Sequence, residues 1–431
     1  MRIVVRAADA RAAREAQAML AAASVTATAL PGAYRSAPDG EDISIVVAGD
    51  TDQQAPVRRD AASVAPLACL VAHRSGSPPP LGLDGAEALD GAIALDGPPR
   101  LLSAQVDAWV RVAIAEEERR RRAATAAEVG APAPQSLQPR KLKALYIGAP
   151  STTFLALERA LAGHNGLVAA AFTSYSGFDH LHDEVFDAVV LNGVQNPATA
   201  ISLCAALRRN ATLYHLPTMV VTAPGDTATA IAAIERGASA VAIANEPSGV
   251  SLAWLFEAVR RERRRRAAEH QMHALRDVMG DARTGLWRRE PFEMHLARMA
   301  SDHHASGRPM SLVVMRVRPA FGARQPTEEI WRKGFTEIAS LAARLMRDTD
   351  CGVTLGEDLI ALALPAALLR HAKRTAERIA SVAECTAFAA GEGSAGPLVF
   401  EQSAVELQPG ESGSAMLARA LRSIEVESIP A

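Results

Sequence analysis

The stretch RDTDCGVTLGEDLIAL, residues 347–362, contains side chains whose types and spacing could bind a ligand. Arg347 and Asp350 stand three residues apart, and Gly356, two acids and an apolar run follow them. An arginine can donate two parallel hydrogen bonds to one edge of a base or stack on its face, and a nearby carboxylate can accept hydrogen bonds from the same edge. The simpler alternative is a surface ion pair at a helix end, which stabilises a fold by at most about 1 kcal/mol.

The composition is that of a globular chain with more than one domain. A chain of 431 residues, 49% hydrophobic and 22% charged, is too long for one ordinary core. The 46 Lys and Arg against 48 Asp and Glu give a net charge of -2, which excludes a global attraction to nucleic acid or anionic lipid. No apolar run is long enough for a membrane helix, and the four cysteines lack metal-ligand spacing. We therefore expect a cytoplasmic protein with no membrane insertion and no nucleic-acid partner.

Two segments repeat one pattern of short apolar strands and amphipathic helices. The first begins with RIVV near the N-terminus and the second with KALYIG after Lys141. This alternation predicts two doubly wound parallel sheets of the α/β class. A stretch rich in Pro and Ala between the copies is typical of a linker. The predicted boundaries are a first domain over 1–124, a linker over 125–140, a second domain over 141–265, a third domain over 266–431, and a linking helix over 251–279.

Two runs of arginine follow the helices that end the two copies. They cover Arg119 to Arg122 and Arg260 to Arg266. Such runs could bind nucleic acid or acidic lipid, but no aromatic residues interleave them. We interpret both as solvated helix faces whose cations oppose the negative end of the helix dipole.

The second copy resembles a response-regulator receiver domain. Receivers hold Mg²⁺ with an acidic pair after the first strand and transfer a phosphoryl group to an Asp after the third, assisted by a Thr or Ser and a Lys. Here Gly148 and Ala149 stand at the acidic pair, and Asn192 stands at the phosphoacceptor position. Thr222 remains, but the Lys position falls among Asn245 and Glu246. The second copy is therefore predicted to be a degenerate receiver that is not phosphorylated.

The first copy resembles a receiver more weakly. Asp9 and Asp50 lie near the ends of two strands and could in principle form a remnant phosphoryl site. The Lys that would counter the charge is missing, since the fifth strand ends in Asp96. Loop acids at strand ends are the simpler interpretation. Whether these acids retain phosphoryl chemistry stays open at this stage.

The last third resembles the GGDEF domain of diguanylate cyclases, an α+β nucleotide-cyclase fold. DARTGLWRREPF from Asp281 matches the entry motif of the family, and LGEDLIALALP matches the strand hairpin that names it. Family members condense two GTP into cyclic di-GMP with two divalent cations held by carboxylates. In this chain Arg316 stands in place of a metal-binding Asp, and the hairpin reads Gly356, Glu357, Asp358 and Leu359. The resemblance implies a degenerate domain without catalysis and without a metal.

The same resemblance gives Arg347 and Asp350 a role. Active members often carry an inhibitory R-x-x-D site five residues before the hairpin, and the pair stands in that register. There the arginine would contact guanine O6 and N7, and the carboxylate would accept the N1 and N2 hydrogens. A second arginine comes from the helix after the hairpin, which here offers Arg374 and Arg378. The expected ligand is cyclic di-GMP, bound as an intercalated dimer that bridges these residues or a second surface.

The order of domains resembles that of response regulators with two receivers and a GGDEF domain. The non-catalytic members of this family imply a homodimeric cyclic di-GMP effector at the cell pole. Their partners are a proteolytic adaptor and a cell-cycle regulator, which they recruit for cell-cycle-regulated proteolysis. Two alternatives remain: a ligand-independent dimeric signalling scaffold, and a residual enzyme that binds GTP.

Overall fold

A computed structural model of the protein describes residues 1–7, 9–31, 42–47, 68–79, 89–134, 140–163, 165–244, 249–386, 388 and 397–427. The contacts divide the chain into two compact units, each built from two segments. The first unit comprises Met1–Ala113 and Leu137–Ala267, and the second comprises Ile114–Ser136 and Ala268–Ala431. Among the described helices, none is long and apolar enough to cross a membrane.

The first sheet of the first unit is parallel, because runs of Ile, Val and Ala fill its strands and bury both faces. Its strand order is β2-β1-β3-β4-β5, the doubly wound arrangement with one crossover beside the first strand. The elements are β1 (Ile3–Ala7), α1 (Ala10–Ala22), β2 (Thr28–Pro31), β3 (Ile43–Val47), β4 (Ala68–His73), β5 (Gly91–Ala94) and α2 (Pro99–Glu128).

The second sheet of the first unit has the equivalent parallel order, β10-β9-β8-β6-β7. The repetition of order confirms the predicted α/β class with two receiver-like sheets. The elements are β6 (Lys143–Ile147), α3 (Thr152–Ala162), β7 (Leu167–Ala171), α4 (Ser174–Asp183), β8 (Ala188–Asn192), α5 (Pro197–Arg209), β9 (Thr218–Thr222), α6 (Thr227–Glu235), β10 (Ala240–Ile243) and α7 (Gly249–Met279).

The first half of α7 covers the edge strand β5 of the first sheet. Glu257 accepts the main-chain N–H of Ala92, an edge group that would otherwise lack a strand partner. Arg260 donates to the Asp90 carbonyl at 2.6 Å and lies over the ring of Trp109. The arginine run from Arg260 was predicted to be a solvated helix face. That prediction is wrong for Arg260, because this face of α7 packs against the edge strand β5.

The second unit contains an antiparallel sheet between two helical layers, in strand order β12-β13-β11-β14. One core lies between the sheet and helices α8 and α11, and the other between the sheet and helices α9 and α10. This confirms the predicted α+β domain. The elements are α8 (Arg289–Ser306), β11 (Met310–Pro319), α9 (Glu328–Leu345), β12 (Cys351–Thr354), β13 (Leu359–Pro365), α10 (Leu369–Glu384), β14 (Leu398–Glu406) and α11 (Gly413–Glu427).

The end of α2 belongs to the second unit, which differs from the predicted boundaries. The linker was predicted over 125–140, whereas α2 continues to Glu128. Thr125 and Ala126 are buried, and Ala126 packs in the core beneath α8 and α11. Composition alone suggested a linker, but the Ala-rich start of this stretch favours helix and the prolines begin only at Pro132.

Candidate functional site

The R-x-x-D residues form a tight loop between α9 and β12. The N–H of Arg347 donates to Asp350 Oδ2 at 2.9 Å, and the N–H of Asp350 donates back to the Arg347 carbonyl at 3.0 Å. The Asp350 side chain is turned inward, and the residue is only 7% exposed. Burial raises the pKa of Asp350 to about 6, although the N–H of Arg347 and the charges of Arg347 and Arg122 favour its ionised form. In this conformation the carboxylate shapes the loop.

The predicted arginines lie on the solvent side of this loop and of helix α10. Arg347 is exposed, and so are Arg374 and Arg378, which stand one helical turn apart. Arg378 donates from Nη2 to the carbonyl of Leu345 at 2.9 Å, two residues before Arg347. The structure thus brings Arg378 to the R-x-x-D loop, and Arg374 continues the same basic face. The opposite face of α10 is apolar and lies in the core.

The hairpin at residues 356–359 is the place where the sequence resemblance predicts that metal-binding acids are absent, and this stays a prediction. Leu359 is 7% exposed and packs in the core. Arg316 projects from β11 toward the hairpin, with its Nε 3.7 Å from Asp358 Oδ2. Glu357 is exposed, and Gly356 has φ of +104°, a conformation that favours glycine. Among the described residues, no group of three or more His, Cys, Asp or Glu could hold a metal ion.

A buried ionic cluster lies behind the R-x-x-D loop, where the sequence had predicted a solvated face. Arg122 is 1% exposed and donates to the carbonyls of Asp348 and Asp350, at 2.7 and 2.9 Å. Its Nε donates to Glu118 Oε1 at 2.8 Å, and its guanidinium lies 5.5 Å from the centre of the Trp287 ring. The prediction for this arginine run is wrong at Arg121 and Arg122, because both side chains are buried.

His295 completes the cluster from helix α8. Burial lowers the pKa of His295, although the neighbouring Glu118 carboxylate opposes this shift. Its Nε2 donates to Glu118 Oε1 at 2.9 Å, and its Nδ1 lies 3.1 Å from the hydroxyl of Thr125, which also donates to the Arg121 carbonyl. Burial opposes the ionisation of Glu118, but His295, Arg122 and Arg121 outweigh it and hold the pKa of Glu118 well below its usual range.

A helical signal in the sequence could have revealed this cluster. The buried residues of the segment recur at spacings of three and four, which is the spacing of one helix face. That face carries one acid and two arginines among small residues, so a search for apolar residues at helical spacing does not detect it. Its members are Ala115, Glu118, Arg121, Arg122, Thr125 and Ala126.

Asn192, at the position that the sequence compares with a receiver phosphoacceptor, forms hydrogen bonds through both atoms of its neutral amide. Asn192 donates from Nδ2 to the carbonyl of Ala149 at 3.0 Å and accepts the N–H of Val194 at Oδ1. Gly148 has φ of +133°, and a Cβ there would meet the Cβ of Asn192 at 2.7 Å. Thr222 is buried at the end of its strand. Asn245 and Glu246 lie outside the described residues.

The acids of the first copy are placed only in part. Asp9 caps helix α1, accepting the N–H groups of Arg11 and Ala12 at 2.8 Å each. These two bonds lower the pKa of Asp9. Asp96 accepts the N–H of Ser75 at 2.6 Å. Asp50 lies outside the described residues, so the predicted remnant phosphoryl pair stays a prediction.

Comparison with solved structures finds similarity to GGDEF domains and to a response regulator. The GGDEF domain of DgcB from Caulobacter crescentus, solved in complex with c-di-GMP, is 17% identical, and the match covers 35% of this chain and 86% of that chain with a TM-score of 0.29. The FimX GGDEF domain from Pseudomonas aeruginosa is 13% identical over 34% of this chain and 92% of that one, with a TM-score of 0.29.

The response regulator is a putative one from Chloroflexus aurantiacus. It is 22% identical, and the match covers 28% of this chain and 98% of that chain with a TM-score of 0.26. No protein-family model matches the chain, and no curated protein matches it. The fold described above rests on the strand orders and registers of this chain itself.

Proposed function

We propose that the protein is a non-catalytic receptor for cyclic di-GMP that binds the dinucleotide at the R-x-x-D loop and the basic face of α10. The observation that carries the proposal is the placement of Arg378, which contacts the Leu345 carbonyl beside the exposed Arg347. Two arginines from separate elements at one surface suit a ligand with two phosphates and two guanine edges. Arg374 extends this surface by one helical turn.

The side of the domain that the sequence resemblance compares with a cyclase active site supports the proposal of binding without turnover. Arg316 puts a fixed positive charge beside Asp358, and Leu359 puts a buried apolar side chain where the family needs a carboxylate. Mg²⁺ binds oxygen ligands, and a neighbouring guanidinium opposes its binding. We therefore propose that the ligand binds without a metal and that GTP is not condensed.

By resemblance, we further propose the role of the PopA type of effector with a PleD-like order of domains. Such a protein would act at the cell pole of the cytoplasm, as a homodimer, and recruit a proteolytic adaptor and a cell-cycle regulator. A fluorescent fusion should then gather at one pole, and the Arg347→Ala fusion should be diffuse. Equal polar signal in both would contradict a ligand-dependent role.

The deciding experiment is isothermal titration of the full chain with cyclic di-GMP. We expect micromolar or tighter binding, unchanged in EDTA, and a roughly tenfold or greater loss in Arg347→Ala because a base contact of this kind is worth about 1–3 kcal/mol. Arg422→Ala is a matched control, since Arg422 is an exposed arginine on α11, on the other side of the sheet. GTP with Mg²⁺ should show neither comparable binding nor turnover.

A ligand-independent scaffold is the second candidate. It is favoured by the inward turn of Asp350, whose carboxylate already accepts the N–H of Arg347. For Asp350 to contact a guanine as the sequence predicts, that bond must break. Absence of cyclic di-GMP binding by the wild-type chain would select the scaffold and reduce the loop to a structural turn.

A further inference from the structure

The main chain of the R-x-x-D loop is held from behind by one side chain. Arg122 donates from the same nitrogen, Nη2, to the carbonyls of Asp348 and Asp350. On the other side, the reciprocal bonds between Arg347 and Asp350 close the loop on itself. The position of the Arg347 backbone therefore depends on both sets of hydrogen bonds.

The Arg122 side chain is itself fixed in place. It is 1% exposed, and beyond the two loop carbonyls it donates to Glu118 Oε1 and, at 3.3 Å, to the carbonyl of Met272. The ring of Trp287 lies against the guanidinium. A guanidinium whose donors are directed in a fixed fork positions its acceptors more tightly than a lysine ammonium would.

A second layer of residues fixes Glu118, the acid behind Arg122. His295 donates to Glu118 from Nε2, and Thr125 holds the other ring nitrogen of His295. The chain thus buries a charged pair together with its supporting hydrogen bonds. Buried ion pairs add little net stability over apolar residues of the same size, so a role in specifying geometry accounts better for their presence.

The neighbouring arginine provides a natural contrast. Arg121 is as deeply buried as Arg122 and also pairs with Glu118. Its Nε donates to Asp302 on α8 at 2.8 Å, its Nη2 lies 3.3 Å from Glu117 Oε2, and the structure shows no bond from it to the described loop residues. Two adjacent buried arginines therefore differ in whether they hold the R-x-x-D loop.

We propose that Arg122 is a positioning residue for the R-x-x-D loop, so that the last turns of α2 set the geometry in which Arg347 meets its ligand. This inference rests on the proposed function, because the ligand is the cyclic di-GMP named there. Helix α2 is continuous from Pro99, in the first unit, to Glu128, in the second. A displacement of its last turns therefore moves the two loop carbonyls and weakens the ligand site without any change at Arg347.

The test compares Arg122→Met with Arg121→Met in the full chain. Hydrogen exchange followed by mass spectrometry reports the main-chain protection of residues 346–354 without ligand, and isothermal titration reports the affinity for cyclic di-GMP. We expect Arg122→Met to reduce loop protection and affinity at least tenfold each, and Arg121→Met to change both less than threefold. Arg122→Lys should fall between the two, because one ammonium cannot reproduce the fork.

A double variant separates positioning from simple loss of stability. Glu118→Gln with Arg122→Met leaves no uncompensated carboxylate in the core, yet it lacks the donor to the loop carbonyls. We expect it to keep the global protection of α8 and β11 and still lose loop protection and affinity.

Three results would overturn the inference: unchanged loop protection in Arg122→Met, equal losses in the Arg121 and Arg122 variants, or a loosened loop with unaltered affinity. If the wild type binds no cyclic di-GMP, the proposed function and this site fail together. Hydrogen exchange of residues 346–354 then still shows whether Arg122 stabilises the conformation of the loop.

Discussion

Asp350 gives the second unit a stability that should fall as pH rises through the mildly acidic range. The carboxyl is buried beside the Arg347 N–H, and its pKa is raised from 3.8 to about 6. Between these values the unfolded chain releases the proton while the folded chain keeps it. The folded state therefore binds more protons, so the stabilising contribution is complete below about pH 4 and is lost by about pH 6. The replacement Asp350→Asn removes this dependence, since the amide oxygen can still accept the N–H.

The size of the effect follows from the shift. About two pKa units at ~1.4 kcal/mol each correspond to about 3 kcal/mol of unfolding free energy. The difference in stability between Asp350→Asn and wild type should rise by up to that amount from pH 4 to pH 7. Contributions from other titrating groups cancel in this difference. The largest part of the change should fall between pH 4 and 6.

The assay is urea unfolding at several pH values, followed by fluorescence in a Trp109→Phe, Trp254→Phe background. Trp287 and Trp331 then report on the second unit alone. Asp348→Asn is the matched control in the same loop: the hydrogen bond from His273 lowers the pKa of Asp348, so its stabilising contribution is complete above about pH 4 and is lost only as pH falls below that value. The difference for that variant should therefore stay flat between pH 4 and 7. A flat difference for Asp350→Asn, or one that grows above pH 7, would refute the argument that burial controls this carboxyl.

Other substitutions test the packing around the site. Leu359→Glu puts a charge in the core, so we expect a loss of about 3 kcal/mol or more and no GTP turnover, checked by urea midpoint and nucleotide chromatography. His295→Ala should lower the unfolding free energy by about 3 kcal/mol because it opens a cavity and removes one of the donors to Glu118, whereas His304→Ala, at an exposed residue, should change the unfolding free energy by less than about 0.5 kcal/mol. Gly148→Ala should destabilise the first unit by about 2 kcal/mol, read from Trp109 and Trp254 fluorescence, because of its positive φ and the contact with Asn192.

The two doubly wound sheets could be predicted because their signals are local. Each strand is a short apolar run rich in Val, Ile and Ala, and its length and flanking helices distinguish a parallel sheet from other folds. The same holds for the amphipathic helix α10, whose charged residues fall on one face. The end of α2 was placed wrongly, since a Pro-rich segment follows a helix without marking its last turn.

The sequence by itself determined which chemical groups stand at the positions compared with receivers and cyclases. Asn192, Arg316 and Leu359 are readable as residue types, and no fold can give them the charge of a carboxylate. It also placed Arg347 and Asp350 in one short segment, where chain connectivity alone keeps them close. The sequence did not determine the direction in which each side chain points.

Only the tertiary structure decided that direction. Asp350 turns inward and Arg122 is buried because the end of α2 packs against the loop that joins α9 to β12, which is far from α2 in the chain. The helical periodicity of an arginine run is identical whether its partner is water or Glu118 and a pair of carbonyls. Desolvation and the available hydrogen-bond partners choose between these environments, and both depend on contacts made only when the chain is folded.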